Sequence, residues 1–315
     1  MVSETLKASF SLLVFPGLLF LSSFGMFSEW LDRKLYARMQ YRVGPPWFQP
    51  FADFVKLMGK EVIIPEAADE ALFKILPSFA GAAVCTSILM IPVWGPSSVY
   101  SFQGDLIAVI YLLTIPTVSF FLGGWSSTSP YAAIGSLRVL TQLFAYEVPL
   151  LMAVLGPAIL SGTWSITGIS AFFASHPALL PVNLIGLVVS LVALQGKLER
   201  VPFDIPHGET EIVGGAFTEY SGRLLAFFLL AMDMEMVVGA ALISAVFLGG
   251  AMGLPGFLGF LLFVLKSIMI IFILSAMRAL MARIRIDQMI SFCWKILAPL
   301  SLLQVLINLI VKGTI

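Results

Sequence analysis

The chain has 315 residues, 59% hydrophobic and 11% charged, with a formal net charge of zero and a mean hydropathy of +0.99. Soluble domains carry about 25% charged residues, so this composition excludes a water-soluble globular protein. The balanced charge excludes a nucleic-acid binder, which needs a basic footprint.

A spanning helix needs ~20 mostly apolar residues. Eight stretches meet that requirement: 9–27, 72–94, 105–124, 142–161, 179–196, 224–248, 257–281 and 289–311. The first follows only Lys7 as a charged n-region and lacks a small-residue cleavage site, so it reads as a retained helix rather than a signal peptide. The expected architecture is therefore an all-α polytopic membrane protein, with residues 1–315 as a single membrane domain. Two polar elaborations interrupt it, 28–71 and 197–223. Basic residues gather in the odd-numbered connections: Arg33, Lys34, Arg38, Arg42, Lys56 and Lys60 in the first, Arg138 at the end of the third, Lys197, Arg200 and Arg223 in the fifth, Arg283 and Arg285 in the seventh. The even-numbered connections 95–104, 162–178 and 249–256 hold no Lys or Arg. The expectation is a cell (cytoplasmic) membrane protein with both elaborations in the cytoplasm and both termini outside.

In 28–71, Glu29, Asp32, Arg33 and Lys34 are read as closing the first helix in mixed charge, and Gly44-Pro45-Pro46 breaks the chain. From Phe51, the apolar Phe51, Phe54, Val55, Leu57 and Met58 alternate with Asp53, Lys56 and Lys60. That pattern predicts a short amphipathic helix at the interface. It either packs on its own bundle or docks a soluble partner, with Arg42, Pro45, Gln49, Asp53, Lys56, Lys60 and Glu61, and Arg138 and Arg200 from later connections, as the candidate docking residues.

Ionisable groups inside spans are costly and mark candidate functional sites. Glu147 lies one to two turns into the fourth span, with Arg138 nine residues earlier near the helix mouth. A carboxyl balanced between a low dielectric and a cation can load and release a proton; the alternative is a structural hydrogen bond to a neighbouring helix. Asp233 and Glu235 fall inside the sixth span, two residues apart, so they point to different sides of the helix. Lys266 in the seventh span is a candidate counter-charge. The central stretch KLERVPFDIPHGETEIVGGAFTEYSGR carries Glu199, Asp204, Glu209, Glu211 and Glu219, whose titrations would couple. It is either a solvated acidic loop or a proton-feeding cluster, and the interspersed Ile205, Ile212, Val213 and Phe217 favour the second. Cys85 and Cys293 read as buried hydrophobes and are too few for an iron–sulfur cluster, which takes four ligands. The chain contains no Walker loop, GxGxxG, Ser/His/Asp set or metal-spaced His/Cys set.

The stretch RVPFDIPHGETEIVGGAFTEYSG resembles the signature loop of a membrane-subunit family of respiratory complex I, the family known in mitochondria as subunit 1. LDRKLYARMQYRVGPPWFQPFADFVKLMGKE resembles that family's other signature, and SLRVLTQLFAYEVPL its fourth-helix segment. The resemblance implies a protein joining a peripheral redox arm to ion-pumping membrane subunits. Glu147, Asp204, Glu209, Glu211 and Glu219 match its acidic positions, and Arg42, Arg138 and Arg200 its basic ones. The chain departs from the family pattern at several points. GPPWFQP is compact, Lys197 replaces an acid, Glu199 is a new acid, His207 stands where an acid is usual, and Met232 replaces a Glu. These departures look more like the membrane subunit of energy-converting [NiFe] hydrogenases, including formate hydrogenlyase and archaeal membrane-bound hydrogenase and sulfane reductase. That branch implies hydrogenase-like large and small subunits, a ferredoxin-like iron–sulfur subunit and antiporter-like membrane subunits as partners. Electrons from ferredoxin or formate would pass through clusters and a [NiFe] centre on those partners, with no cofactor in this chain. The competing readings are a quinone-chamber subunit of a complex I-type dehydrogenase, a sulfane sulfur reductase subunit, and a stand-alone secondary transporter. The last class often shows inverted repeats, which are not visible here.

Overall fold

The structure is a computed structural model that describes residues 2–314, apart from the side chains of residues 2–4, 209 and 210. The described residues are helical throughout, joined by turns. Eight helical segments among them are long and apolar enough to cross a membrane: Thr5–Met39, Glu70–Ile88, Asp105–Ser126, Pro130–Ser161, Pro177–Lys197, Gly222–Phe247, Gly256–Leu280 and Ile286–Thr314.

The first span is broken where Pro16 lacks an N–H to donate, giving α1 (Val2–Leu13) and α2 (Leu18–Met39). α2 does not end at 27, as its charges suggested. It runs on for twelve residues and carries Glu29, Asp32 and Arg33 along one side into the bundle. The amphipathic α3 (Gln49–Met58) forms where expected, with Pro50 in its first turn. α4 (Glu70–Ile88) starts where the Asp69 carboxylate accepts from the backbone N–H groups of Ala71 and Leu72 at 3.1 and 3.2 Å.

α5 (Asp105–Ser126) is followed by α6 (Pro130–Ser161), which begins twelve residues before the expected span and ends at Gly162 in a left-handed conformation (φ 71°). A short helix, α7 (Ile166–Ser175), sits in the fourth connection, 162–178. α8 (Leu184–Lys197) follows a 3₁₀ entry, and the single turn α9 (Glu209–Ile212) lies within the central loop. α10 (Gly222–Phe247) is apolar over most of its surface and mostly buried, as a core helix should be, and it packs against α2, α4, α8 and α11 (Gly256–Leu280). α12 (Ile286–Phe292) and α13 (Ala298–Thr314) complete the last span through a π-helical segment at Cys293–Leu297.

Two glycines bring the functional elements together. A Cβ on Gly25 would come within 3.1 Å of the backbone at Asp233 and Met234, so α2 and α10 touch at the level of the α10 acids. A Cβ on Gly135 would lie 2.5 Å from the Gly215 carbonyl carbon, so the central loop rests directly on α6. That loop is not a solvated excursion. Leu198, Phe203, Ile205, Ile212, Ala216, Phe217 and Tyr220 are buried, and Tyr220 stacks on Phe73 of α4 at 3.9 Å.

Candidate functional site

Folding the central loop into the bundle assembles two buried charge clusters. The first surrounds Asp32 on α2, which is 1% exposed. Arg200 donates to it at 2.5 Å, Arg278 at the end of α11 at 2.7 Å, and the Ser275 hydroxyl at 2.6 Å. Arg200 also donates to Glu29, which accepts from Arg33 at 2.6 Å. Burial works against the Arg200 charge, yet Asp32 and Glu29 overcome it and hold the guanidinium more firmly charged than usual. A polar cavity of about 280 Å³ opens beside this cluster, lined among others by Glu29, Arg33, Glu199, Arg200, Asp204, His207, Asp233 and Arg278.

The second cluster lies deeper. Glu235, midway along α10, faces Lys197 at the end of α8 at 3.1 Å, and the two side chains are 1% and 2% exposed. The Lys197 ammonium also donates to the Leu113 carbonyl of α5 at 2.5 Å and lies 5.6 Å from the centre of the Tyr146 ring. Tyr146 and the Thr117 hydroxyl are 3.2 Å apart. Next to Tyr146, Glu147 lies within electrostatic range of both Lys197 and Glu235. Its Oε2 atom is sealed from solvent without a hydrogen-bond partner. Seventeen residues separate Glu147 from the start of α6, so it sits about 26 Å along the helix, close to its middle rather than one or two turns in.

Glu199 stands between the clusters. Its carboxylate, 2% exposed, lies 2.8 Å from the His207 imidazole, whose ring stacks on Phe217 at 5.5 Å. Glu199 is within range of Asp204 at the cavity and of Glu235 in the deep cluster. Burial raises the Asp204 carboxyl above the usual range, against the lowering pull of His207 and Arg283. The loop is pinned by Gln142 of α6, whose amide donates to the Gly196 and Phe203 carbonyls at 2.6 and 2.9 Å.

The other sequence candidates distribute as follows. Glu211 is exposed and bonded to Arg138 at 2.6 Å, which holds its carboxyl below the usual range. Glu219 is half-buried and forms no ion pair among the described residues. The Glu209 side chain lies outside the described residues. Asp233 and Glu235 do diverge: Asp233 lines the polar cavity and Glu235 faces Lys197. Lys266 is not their counter-charge. It donates to the Leu248 and Gly250 carbonyls, both at 2.6 Å, and so closes the C-terminus of α10.

Of the docking candidates, Arg42, Lys56, Lys60 and Glu61 are exposed, and Pro45, Gln49 and Asp53 are half-buried, whereas Arg138 and Arg200 are half-buried and held in ion pairs within the chain. Gln49 donates to Asp53 at 2.9 Å, and the Pro45 carbonyl accepts from Trp30 at 3.3 Å. Exposed Tyr41, Val43, Trp47 and Phe48 flank them. Sequence reading missed Asp32 and Arg278 as site members and Lys197 as the partner of Glu235. The available signal was the i, i+3, i+4 spacing of Glu29, Asp32 and Arg33, which puts three charges on one face of a helix. Cys85 and Cys293 are buried free thiols on separate helices. Among the described residues no group of three or more His, Cys, Asp or Glu could hold a metal.

Residues 12–309 match the NADH dehydrogenase family. An NADH-quinone oxidoreductase subunit of Brevibacillus brevis is 34% identical over 301 residues, covering 91% of this chain and 88% of that protein. The subunit of the same name from Anoxybacillus flavithermus is 35% identical over 291 residues, covering 89% and 87%. A chain in the solved structure of the membrane-bound sulfane sulfur reductase, an archaeal respiratory membrane complex, is 28% identical with a TM-score of 0.83, over 92% of this chain and 96% of that one. The chain thus belongs to the NADH dehydrogenase family, as a multi-pass membrane subunit of the type found in oxidoreductase complexes.

Proposed function

We propose that this chain is the membrane anchor and coupling subunit of a redox-driven ion-translocating complex. It joins a peripheral module of the [NiFe]-hydrogenase or sulfane-reductase type to antiporter-like ion-pumping subunits. The observation that carries this reading is the series of buried ionisable groups from the Asp32–Arg200 cavity through Glu199 to Glu235, Lys197 and Glu147. Buried charge this deep in a bundle is costly and is retained for ion or proton movement. Redox chemistry at the peripheral module changes the charge around the cavity, and the carboxyls transmit that change inwards. The [NiFe] centre and iron–sulfur clusters belong to the partners, among them a ferredoxin-like subunit. The exposed 41–63 segment and the central loop meet that module on the cytoplasmic side, and both termini face outside. The whole chain acts as one membrane domain.

The hydrogenase-type branch is supported by Lys197, Glu199 and His207, and by a cavity whose walls are charged where a quinone chamber would be lipophilic. The second reading, a quinone-linked subunit, is favoured by the names of the relatives and by an apolar cavity of about 350 Å³ between α1, α2, α4 and α10. Purification of the native complex in mild detergent distinguishes the two. Nickel at about one per complex together with hydrogen evolution from reduced ferredoxin or viologen fits the hydrogenase branch. Iron without nickel points to a sulfur- or quinone-linked relative, and a tightly bound quinone to the second reading. Glu147→Gln should leave assembly intact and uncouple electron transfer from ion transport; unchanged pumping would refute the coupling role.

A further inference from the structure

The deep cluster has an odd charge count that the coupling role alone does not explain. It contains two carboxyl groups, Glu147 and Glu235, and one ammonium, Lys197. An unpaired charge held out of water is strongly disfavoured, so a site with one cation balances one carboxylate and leaves the other needing a proton. The geometry shows which carboxylate is balanced. Lys197 forms its ion pair with Glu235, at 3.1 Å, whereas Glu147 forms no ion pair among the described residues.

The remaining contacts of Lys197 leave it free to exchange partners. Its second hydrogen bond is to the Leu113 backbone carbonyl, a neutral anchor about which a flexible stem can turn, and its third neighbour is the Tyr146 ring. Pro116 lies three residues beyond Leu113 inside α5, and its ring crowds the preceding turn of the helix. The titratable and charged groups facing this site are Tyr146 and Glu147 from α6, Glu235 from α10, Lys197 from α8 and Glu199 from the central loop.

We propose that Glu147, Lys197 and Glu235 form a one-proton switch, in which a single exchangeable proton occupies one carboxyl and Lys197 pairs with the other. A proton arriving at Glu235 from the Glu199 side neutralises that carboxylate and breaks its ion pair. Lys197 then turns to Glu147, which releases its own proton; one proton enters and one leaves, and the triad stays electrically balanced. Glu147 is half-buried whereas Lys197 and Glu235 are buried, so the proton leaves by way of Glu147. The inference rests on the coupling role proposed above and names the groups that perform it.

The test is infrared difference spectroscopy on the native complex, with exchange from H₂O into D₂O, counting protonated buried carboxyls without turnover. The wild type should contribute one such band from this site, and Glu147→Gln should remove it. Glu235→Gln should also remove it, because Lys197 turns to pair with Glu147. Lys197→Met should raise the count from one to two. A static ion pair predicts instead that the band survives Glu235→Gln, and that result would overturn the switch. So would a band unchanged in Glu147→Gln, or one abolished by sodium at constant pH, which would make the site a sodium site. Because the count needs no electron transfer, it remains decisive even if the complex proves not to couple redox chemistry to ion transport.

Discussion

Replacing Lys197 with Met isolates the energetics of the deep cluster. The methionine keeps the length and apolar bulk of the lysine stem and removes only the charge. Lys197 and Glu235 are 2% and 1% exposed and 3.1 Å apart. At an effective dielectric of about 20, that separation corresponds to a gross attraction of roughly 5 kcal/mol. Most of this offsets the cost of taking both ions out of water, so the pair contributes little net stability. Breaking it is a different matter, because Lys197→Met leaves Glu235 without a counter-charge, so that it must take up a proton or stay buried as an unpaired ion, at a cost of about 3–5 kcal/mol. The double variant Lys197→Met/Glu235→Met removes both charges and keeps the volume, and should return to within about 1 kcal/mol of the wild type. Thermal unfolding of the purified complex in mild detergent, run as a double-mutant cycle, measures the coupling. The single lysine loss should shrink in acid, where a protonated Glu235 needs no counter-charge. Additive single and double variants, with the double losing the sum of the two singles, would refute the argument.

Asp32→Ala should be as damaging at the cavity. It strands Arg278 and removes one of the two carboxylates that hold Arg200, leaving only Glu29, and should cost about 3–5 kcal/mol, read as loss of the chain from the assembled complex. Gly135→Val forces a side chain into the Gly215 and Ala216 backbone at 2.5–2.6 Å. It should cost about 1–3 kcal/mol as overpacking and expose the central loop to limited proteolysis, whereas the open position Gly313→Val should do neither. Asp204→Asn tests the pH dependence. Burial raises the Asp204 carboxyl in the folded chain, so its ionised form opposes folding above that raised value and the cost is gone below the unfolded value. The asparagine variant should be more stable than wild type at neutral pH, with the advantage vanishing as pH falls through the carboxyl range.

The eight spans were legible because an apolar run of spanning length has few alternatives in a chain this poor in charge. Their ends were not. The sequence reading stopped the first span at 27 because Glu29, Asp32 and Arg33 follow, yet α2 continues through them to Met39. Hydropathy registers a charge but not its partner. Here the partners are Arg200, Arg278 and Ser275, between 168 and 246 residues away along the chain. The same blindness displaced Glu147, since α6 begins at Pro130 and absorbs Arg138 into the helix. Lys266 shows the converse error. A lysine in an apolar span suggests an acidic partner, but two backbone carbonyls left open at the end of α10 satisfy it equally well. The divergence of Asp233 and Glu235 was readable because it depends only on helical spacing.

The two clusters differ in a way that assigns them separate tasks. Around the cavity, three arginines face Glu29, Asp32, Glu199, Asp204 and Asp233, so several carboxyls compete for fewer cations next to a space of about 280 Å³ that is large enough for water. On the proposed coupling role, this is where protons enter and are shared among neighbouring carboxyls. The deep cluster has one cation, two carboxyls and a backbone carbonyl, and its Lys197 and Glu235 are almost wholly withdrawn from solvent. Fewer partners and a drier setting mean fewer allowed charge states, and a site with few states is suited to being a switch. The link between them is Glu199, held by His207 and in range of Asp204 on one side and Glu235 on the other. On the proposed coupling role, a wet reservoir feeding a dry switch through one buried carboxylate gives the central loop a mechanical reason for packing into the bundle. If the loop stood in solvent, Glu199 would reach neither cluster.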